Sequence, residues 1–139
     1  MITLPNIHVC GQIEFSRVRF SGVSFSKILS IWDRNTNYET YMKQQFPESE
    51  ITFTYFDDDL TDPTAEDIRG CLEWGKTLNP SETVLVHCQA GLSRSPAIAL
   101  GILKMYLKDE AAAYHELRRI RPQAHPNTHI LNLIERELG

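Results

Sequence analysis

The sequence contains few cysteines, no long apolar run and no excess of basic residues, and each absence excludes a class of protein. Its three cysteines, Cys10, Cys71 and Cys88, are too widely spaced to form the framework of a disulfide-stabilised secreted domain. No apolar stretch approaches the roughly 20 residues that span a bilayer, so we expect no membrane insertion. The formal net charge of −4 argues against nucleic acid or an anionic membrane as the main partner.

The first residues also lack the features of a secretion signal. They read MITLPNIHVCGQ, with neither a basic start nor a long apolar segment. We therefore expect a cytoplasmic protein, in a compartment where thiols stay reduced. With 139 residues, 42% of them hydrophobic and 23% charged, the chain has the composition of one globular domain. Because no repeat or linker divides the sequence, residues 1–139 are interpreted as a single domain.

Segments typical of strands alternate along the chain with segments typical of helices. The strand-like segments are residues 7–10, 27–32, 51–56 and 83–86. The helix-like segments are residues 38–46, 64–78, 97–107, 110–120 and 128–138. This order predicts an α/β domain with a central, mostly parallel sheet flanked by helices.

Three helical features carry more specific predictions. Thr64 and Asp67 have the spacing of a capping box at the start of a helix. Ser95 is a natural N-cap and Pro96 a natural first helical residue, so we expect the next helix to begin there. Residues 97–107 are apolar almost all round, which is typical of a helix in the middle of a domain.

The only dense basic cluster of the sequence is HELRRIR, residues 115–121. Leu117 and Ile120 alternate with its charges at helical spacing, which indicates the solvated face of a helix that Arg121 and Pro122 end. A patch that recruits an acidic substrate is the alternative.

The most informative stretch is VLVHCQAGLSRSP, residues 84–96. An apolar strand ends at His87 and Cys88, a short loop follows, and Ser95 opens an apolar helix. Strand, loop and helix N-terminus together aim backbone N–H groups at one point, where the helix dipole adds partial positive charge. A thiol at such a point ionises easily to a nucleophile, and Arg94 can grip two oxygens of one phosphoryl group. The layout predicts a phosphate-binding loop with a thiol at its floor.

This string resembles the signature of the cysteine-dependent protein phosphatases, and the small dual-specificity phosphatases most closely. The signature consists of His87 and Cys88, five further residues, and then Arg94 and Ser95. The resemblance implies a protein tyrosine phosphatase-like fold, a phosphocysteine intermediate, and a reaction without metal or other cofactor. In weaker form it extends over most of the chain from Ile28 onward.

The resemblance also assigns roles within the string. Cys88 would be the nucleophile, Ser95 would hydrogen-bond its sulfur or simply cap the helix, and His87 would brace the loop. Gly91 would supply a backbone shape that a β-carbon obstructs. The phosphate oxygens would be held by the backbone N–H groups of Gln89, Ala90, Gly91, Leu92, Ser93 and Arg94, together with the Arg94 side chain.

Cleavage of a phosphate ester also needs a proton for the leaving oxygen. Asp57, Asp58 and Asp59 lie about thirty residues before Cys88, where the resemblance implies a general-acid loop. From the resemblance to small bacterial-type relatives we predict Asp59 as the acid, with Asp58 next. Repulsion among the three carboxylates would raise their pKa values and help to keep one protonated. A solvated acidic turn is the alternative.

The function predicted is a cysteine-based, metal-independent protein phosphatase that acts on phosphotyrosine, and also on phosphoserine or phosphothreonine if its pocket is shallow. Its expected partner is a phosphorylated protein. A phosphoinositide or RNA 5′-phosphatase is an alternative, although such relatives tend to carry Lys or Arg within the loop. A phosphate-binding pseudophosphatase is the non-enzymatic alternative, disfavoured because a nucleophile, an arginine and a candidate acid are all present.

A metal site is not expected. His125 and His129 have the spacing of a ligand pair on a helix, but Pro126 lies between them and no third ligand is near in the sequence.

Overall fold

Four parallel strands form one sheet in the order β1-β4-β2-β3 in the computed structural model, which describes residues 3–139. The strands are β1 (Asn6–Gly11), β2 (Lys27–Trp32), β3 (Glu50–Tyr55) and β4 (Thr83–Cys88). The predicted α/β class and parallel sheet are confirmed. Strand β4 lies inside the sheet, and its residues Val84, Leu85 and Val86 are fully buried. The apolar run that predicted this strand is therefore explained by burial on both faces.

Helices cover both faces of this sheet. They are α1 (Phe15–Phe20), α2 (Glu39–Gln45), α3 (Ala65–Lys76), α4 (Arg94–Leu107), α5 (Glu110–Ile120) and α6 (Thr128–Leu138), and a 3₁₀ turn (Gln12–Glu14) precedes α1. Helix α4 packs against β1, β4, α3, α5 and α6, as its apolar surface predicted. One apolar cluster lies between the sheet and α3 to α6, and a second lies on the α1 and α2 face. Between residues 3 and 139, no helix has both the length and the apolar character needed to cross a membrane.

The helix starts were predicted with unequal success. The capping box of α3 is confirmed, since Thr64 Oγ1 accepts from the Asp67 N–H (3.1 Å) and the Asp67 carboxylate accepts from the Thr64 N–H (3.0 Å). The predicted start of α4 is wrong by two residues: Ser93 occupies the N-cap position and Ser95 lies within the first turn. Ser95 is therefore not a simple N-cap.

The segment before β2 gave no clear signal in the sequence. The 3₁₀ turn and α1 together span only residues 12–20, which is too short for a helical period to stand out. Their buried residue, Phe15, packs edge-on against the ring of His87 with 4.8 Å between ring centroids. This segment therefore lies directly behind the end of β4.

Candidate active site

Residues 89–93, here called the phosphate loop, connect the end of β4 to the start of α4. Gly91 has a φ of +71°, and an added β-carbon would overlap the backbone of Cys10 and Gly11. The prediction that this position needs a glycine backbone is confirmed. The loop consequently folds back against the end of β1, directly beside the Cys88 that ends β4.

Hydrogen-bond donors surround the sulfur of Cys88. The backbone N–H groups of Gly91 and Ser95 point at Sγ, with N–S distances of 3.2 and 3.5 Å, and the Ser95 hydroxyl oxygen lies 3.1 Å from it. Such donors stabilise negative charge on sulfur, as does the N-terminus of α4. The structure thus brings Cys88 and Ser95 together, as the sequence predicted.

The side chain of Arg94 is almost completely buried, with 4% of its surface exposed. Its Nη1 donates to the Asp33 carboxylate (2.6 Å) and to the Phe56 carbonyl (2.9 Å). Its Nε is buried and has no hydrogen-bond partner. Because a buried guanidinium N–H is costly to leave unpaired, this atom indicates an anionic ligand in the space beside it.

A cavity of about 700 Å³ opens beside this arginine and the thiol. Its lining residues are Asp33, Arg34, Thr36, Asp57, Asp58, Cys88, Gln89, Ala90, Leu92, Ser93 and Arg94. Asp33, Arg34 and Thr36 were missed by the sequence analysis because they follow β2, far from the motif in sequence. They share the cavity because the carboxyl ends of parallel strands meet at one edge of the sheet.

The three consecutive aspartates have different surroundings. Asp57 accepts from the backbone N–H of Arg34 (2.9 Å), and Asp58 Oδ1 accepts from the Ser93 hydroxyl (2.8 Å). Asp59 does not line the cavity. Its Oδ1 accepts from the N–H groups of Asp62 (2.5 Å) and Thr61 (2.8 Å) in a turn of its own.

These contacts also determine the charge of Asp59. The hydrogen bonds from the Asp62 and Thr61 N–H groups lower its pKa, so the expected rise from carboxylate repulsion does not occur at this residue. The three side chains do not alternate as they would along a strand, because β3 already ends at Tyr55 and the chain then turns. Of the two leading candidates, only Asp58 has its carboxylate beside the phosphate loop.

Asn127 links the acidic segment to α6 and was not predicted as a site residue. Its Nδ2 donates to Asp58 Oδ1 and to the Asp59 carbonyl, both at 2.9 Å, while its Oδ1 accepts from the Ile130 N–H at 3.0 Å. The residue therefore caps α6 and fixes Asp58 at the same time. In the sequence, the N-cap pattern alone could have drawn attention to it.

His87 is fully buried behind the loop, and burial lowers its pKa to about 4. Its Nε2 lies 2.6 Å from Ser30 Oγ, which accepts from the Trp32 indole N–H, and its Nδ1 lies 3.2 Å from the Cys88 carbonyl oxygen. Because the Cys88 carbonyl oxygen can only accept, the proton of the neutral ring sits on Nδ1, and Nε2 accepts from the Ser30 hydroxyl. A neutral ring held in this way can fix the end of β4.

Arg121 departs from the sequence prediction. The basic cluster of residues 115–121 was interpreted as a solvated helix face. This is wrong for Arg121, which is only 6% exposed. Helix α5 ends at Ile120, and the side chain of Arg121, with a non-helical backbone, donates to the Gly91 carbonyl (2.9 Å) and to Glu14. Helical spacing could not reveal this, because Arg121 lies beyond the helix.

The two histidines considered as a metal pair have separate surroundings. His129 Nε2 lies 2.8 Å from the Pro63 carbonyl oxygen, and the backbone N–H of His125 donates to the Leu92 carbonyl (2.7 Å). Over the described part of the chain, His, Cys, Asp and Glu side chains form no group of three or more suited to a metal ion.

Similarity to known proteins covers nearly the whole chain. The family profile described as "Dual specificity phosphatase, catalytic domain" matches residues 9–138. A Dictyostelium discoideum protein named "Probable dual specificity protein phosphatase" is 32% identical over 137 residues, which cover 93% of this chain and 58% of that protein. The chain thus spans somewhat more than half the length of this relative.

Solved structures with low sequence identity share the fold. The Cydia pomonella PTP-2 phosphatase is 23% identical with a TM-score of 0.72, and the match covers 94% of this chain and 84% of that one. Human DUSP28 is 15% identical with a TM-score of 0.74, and the match covers 98% and 94% of the two chains. The profile match over nearly the whole length confirms the resemblance noted in the motif: the chain belongs to the dual specificity phosphatase family.

Proposed function

We propose that this chain is a metal-independent phosphomonoester hydrolase that dephosphorylates phosphotyrosine, and also phosphoserine and phosphothreonine, in proteins. The observation that carries the proposal is the pairing, in one cavity, of the Cys88 thiol and the buried Arg94 guanidinium with its unpartnered Nε. A phosphate is the ligand that would satisfy that N–H and the loop N–H groups together.

In the first step of the proposed reaction, the Cys88 thiolate attacks phosphorus in line with the leaving oxygen. An S–P bond forms, the P–O ester bond breaks, and a carboxylic acid protonates the departing oxygen. Backbone N–H groups of the phosphate loop, with Arg94, hold the three equatorial oxygens as their charge redistributes.

In the second step, the same carboxylate takes a proton from water, which attacks the phosphocysteine. The S–P bond breaks, inorganic phosphate forms, and sulfur leaves as a thiolate. The Ser95 hydroxyl, 3.1 Å from Sγ, is positioned to donate to that departing sulfur. This contact supports the helper role expected of Ser95.

We assign the general acid to Asp58 instead of Asp59. Asp58 borders the cavity and is held by Ser93 and Asn127, whereas Asp59 is tied into its own turn with a lowered pKa. A general acid must be protonated when the leaving group departs, and a carboxylate stabilised by two backbone N–H groups is poorly suited to that task.

The acid assignment is tested with Asp58→Asn and Asp59→Asn as a matched pair. Asp58→Asn should lower kcat on phenyl phosphate by roughly a hundredfold or more, but should have much less effect on a substrate with a very acidic leaving phenol. It should also remove the fall of activity at high pH. Asp59→Asn should change neither property. If the leaving-group dependence belongs to Asp59 instead, the assignment is wrong.

The charges around the cavity support a protein substrate over a polyphosphorylated one. Besides the general acid Asp58, Asp33 and Asp57 contribute two carboxylates to its wall, while the guanidinium of Arg34 is already bound to Asp62 (2.9 Å) and Asp67 (3.0 Å). A substrate with several phosphates would meet repulsion there. A single phosphate on a neutral or basic peptide would not.

A substrate panel tests this part of the proposal. We expect kcat/KM for a phosphotyrosine peptide with lysine on both sides to exceed that of the same peptide with glutamate by about tenfold at low salt, with the ratio shrinking as salt is added. Phosphoinositides should be poorer substrates than either peptide. Faster turnover of phosphoinositides would favour the lipid alternative. Phosphopeptide binding without turnover of any phosphate ester would indicate a pseudophosphatase.

A further inference from the structure

The carbonyl groups of the phosphate loop are all bound by donors that do not line the cavity. The N–H and C=O of a trans peptide point in opposite directions, so fixing a carbonyl on one side directs the adjoining N–H to the other. The pairs are Gln89 O with Gln12 N (2.9 Å), Ala90 O with Arg121 Nη2 (3.3 Å), Gly91 O with Arg121 Nε (2.9 Å), Leu92 O with His125 N (2.7 Å), and Ser93 O with Asn127 N (3.2 Å).

One side chain in this set binds two consecutive carbonyls. Arg121 holds Ala90 and Gly91, the residues at the tip of the loop, where Gly91 adopts its left-handed conformation. The other carbonyls are held by backbone N–H groups, which no substitution other than proline removes. Within the described residues, this guanidinium is thus the one side-chain group that holds the carbonyls of the loop tip.

A carboxylate in turn holds this guanidinium. The Glu14 oxygens accept from Arg121 Nη1 (2.7 Å) and Nη2 (2.6 Å), and Glu14 Oε1 also accepts from the Gly11 N–H (2.9 Å). Both side chains are largely buried, with 8% and 14% of their surfaces exposed. Two parallel hydrogen bonds between a guanidinium and a carboxylate fix the orientation of the guanidinium as well as pairing its charge. A lysine could pair the charge but could not fix an orientation in this way.

The ion pair lies beside the closest approach of β1 and the phosphate loop. A β-carbon on Gly11 would lie 2.5 Å from the carbonyl carbon of Ala90, so the two backbones are in direct contact. Arg121 and Glu14 therefore span the junction between the end of α5, the end of β1 and the loop.

We propose that Glu14 and Arg121 are positioning residues for the phosphate loop: they hold its tip carbonyls outward so that its N–H groups converge on Cys88 Sγ and on the substrate phosphate. The proposal rests on the phosphatase function proposed above. Neither residue lines the cavity or contacts Cys88, so they would act only through the conformation of the loop.

The test compares Arg121→Met with Arg119→Met, a matched control two residues earlier. Arg119 is exposed and paired with Glu116 on the surface of α5. We expect Arg121→Met to lower kcat/KM on p-nitrophenyl phosphate at least about tenfold, and to weaken inhibition by vanadate by a similar factor, at a temperature well below its melting point. Arg121→Lys should recover little of either property, and Arg119→Met should match the wild type in both.

A purely structural ion pair would give a different result. In that case Arg121→Met would lower the melting temperature, but the folded enzyme would keep the wild-type vanadate affinity and kcat/KM, which would overturn the proposal. Should Arg121→Met fail to fold, Glu14→Gln keeps an acceptor for Gly11 while removing the charge. It should weaken vanadate binding by about threefold or more, and an unchanged affinity would also overturn the proposal.

A binding readout separates this proposal from the phosphatase function itself. Protection of Cys88 from iodoacetamide by vanadate requires no turnover. If the wild type hydrolyses no phosphate ester but vanadate protects it better than Arg121→Met, the phosphatase proposal fails and the positioning role stands. If the wild type is active and both proteins are protected equally, only the positioning role fails.

Discussion

At the scale of single residues, the proposed reaction gives separate residues two tasks that the motif combines: supplying a nucleophile and holding a phosphate. In that proposal Cys88 supplies the sulfur that attacks, while the loop N–H groups and Arg94 provide the donors that hold the phosphate. The nucleophile can therefore be removed without removing the phosphate donors, and each task has its own test.

Cys88→Ser should abolish turnover while leaving phosphate binding intact. A serine hydroxyl in place of the thiol is a far weaker nucleophile at neutral pH, but the loop and Arg94 are unchanged. We expect a phosphotyrosine peptide to bind with an affinity within about threefold of the wild-type KM, as measured by calorimetry. Appreciable hydrolysis by the metal-free variant would contradict the thiol mechanism.

Arg94→Lys separates charge from geometry. Lysine keeps one positive charge but loses the planar fork, and it cannot bind Asp33, the Phe56 carbonyl and a phosphate at once. We expect kcat on p-nitrophenyl phosphate to fall roughly a hundredfold, on the scale of losing a transition-state donor. Near-normal activity in steady-state kinetics would mean that a point charge is sufficient.

The sequence revealed the site residues that lie close together along the chain, but not those that lie far apart. Cys88, Arg94 and Ser95 lie within one strand-loop-helix unit, so their offsets alone predicted that they meet. Asp33 comes from the connection after β2, and Arg121 and Asn127 come from the connection between α5 and α6, so only the tertiary fold brings them to the loop. Asp58 and Asp59 are adjacent, and the choice between them depended on a turn whose hydrogen bonds no periodicity describes.

At the scale of elements, the contact between β1 and the phosphate loop is made backbone to backbone, without intervening side chains. Gly91→Ala tests it, because alanine must adopt a left-handed conformation and its β-carbon would overlap Cys10. We expect a loss of about 2 kcal/mol or more in unfolding free energy, together with at least about tenfold lower activity.

Gly70→Ala is the matched control for that substitution. Gly70 lies on an exposed position of α3, where an added β-carbon meets nothing within 4 Å. Alanine there should raise the unfolding free energy by about 0.5–1 kcal/mol and leave activity unchanged. Urea unfolding of the two variants beside the wild type makes the comparison. Equal stability of Gly91→Ala and the wild type would mean that this junction is not closely packed.

The strands and helices were predictable where apolar residues recur at regular spacing over several residues. All four strands and the helices α2 to α6 were found. Most of them bury a regular stripe or a continuous apolar run, whereas β3 is only partly buried and α2 buries Met42 alone. The start of α4 was not, since the hydroxyl of Ser93 binds Asp58 instead of capping the helix, and the N–H of Ser95 points at sulfur. There the requirements of the site override the usual preferences for helix starts.

At the scale of the whole molecule, buried titratable groups limit the pH range of stability from both sides. Burial lowers the pKa of His87 from 6.5 to about 4 and raises the pKa values of Cys10 and Cys71 from 9.0 to about 12. Below pH 6.5 the His87 imidazole takes up a proton in the unfolded chain but stays neutral in the folded chain. Above pH 9 the unfolded chain releases thiol protons that the folded chain retains. Stability should therefore be highest between about pH 6.5 and 9.

On the acid side, the contribution of neutral His87 is fully present above pH 6.5 and is lost as the pH falls to about 4. The shift corresponds to about 3 kcal/mol of unfolding free energy between pH 7 and 4. Carboxylates such as Glu14, whose pKa is lowered by its hydrogen bond to Arg121, also lose stability in acid. Urea unfolding of the wild type and of His87→Gln at several pH values separates the loss due to His87 from theirs.

The His87→Gln variant should be less stable than the wild type at pH 7 but should lose less unfolding free energy on acidification. His115→Gln, which changes an exposed histidine on α5, should follow the wild-type curve. Parallel curves for the wild type and His87→Gln would mean that His87 is not buried in its neutral form, and the proton assignment that links Ser30 to the Cys88 carbonyl would then be wrong.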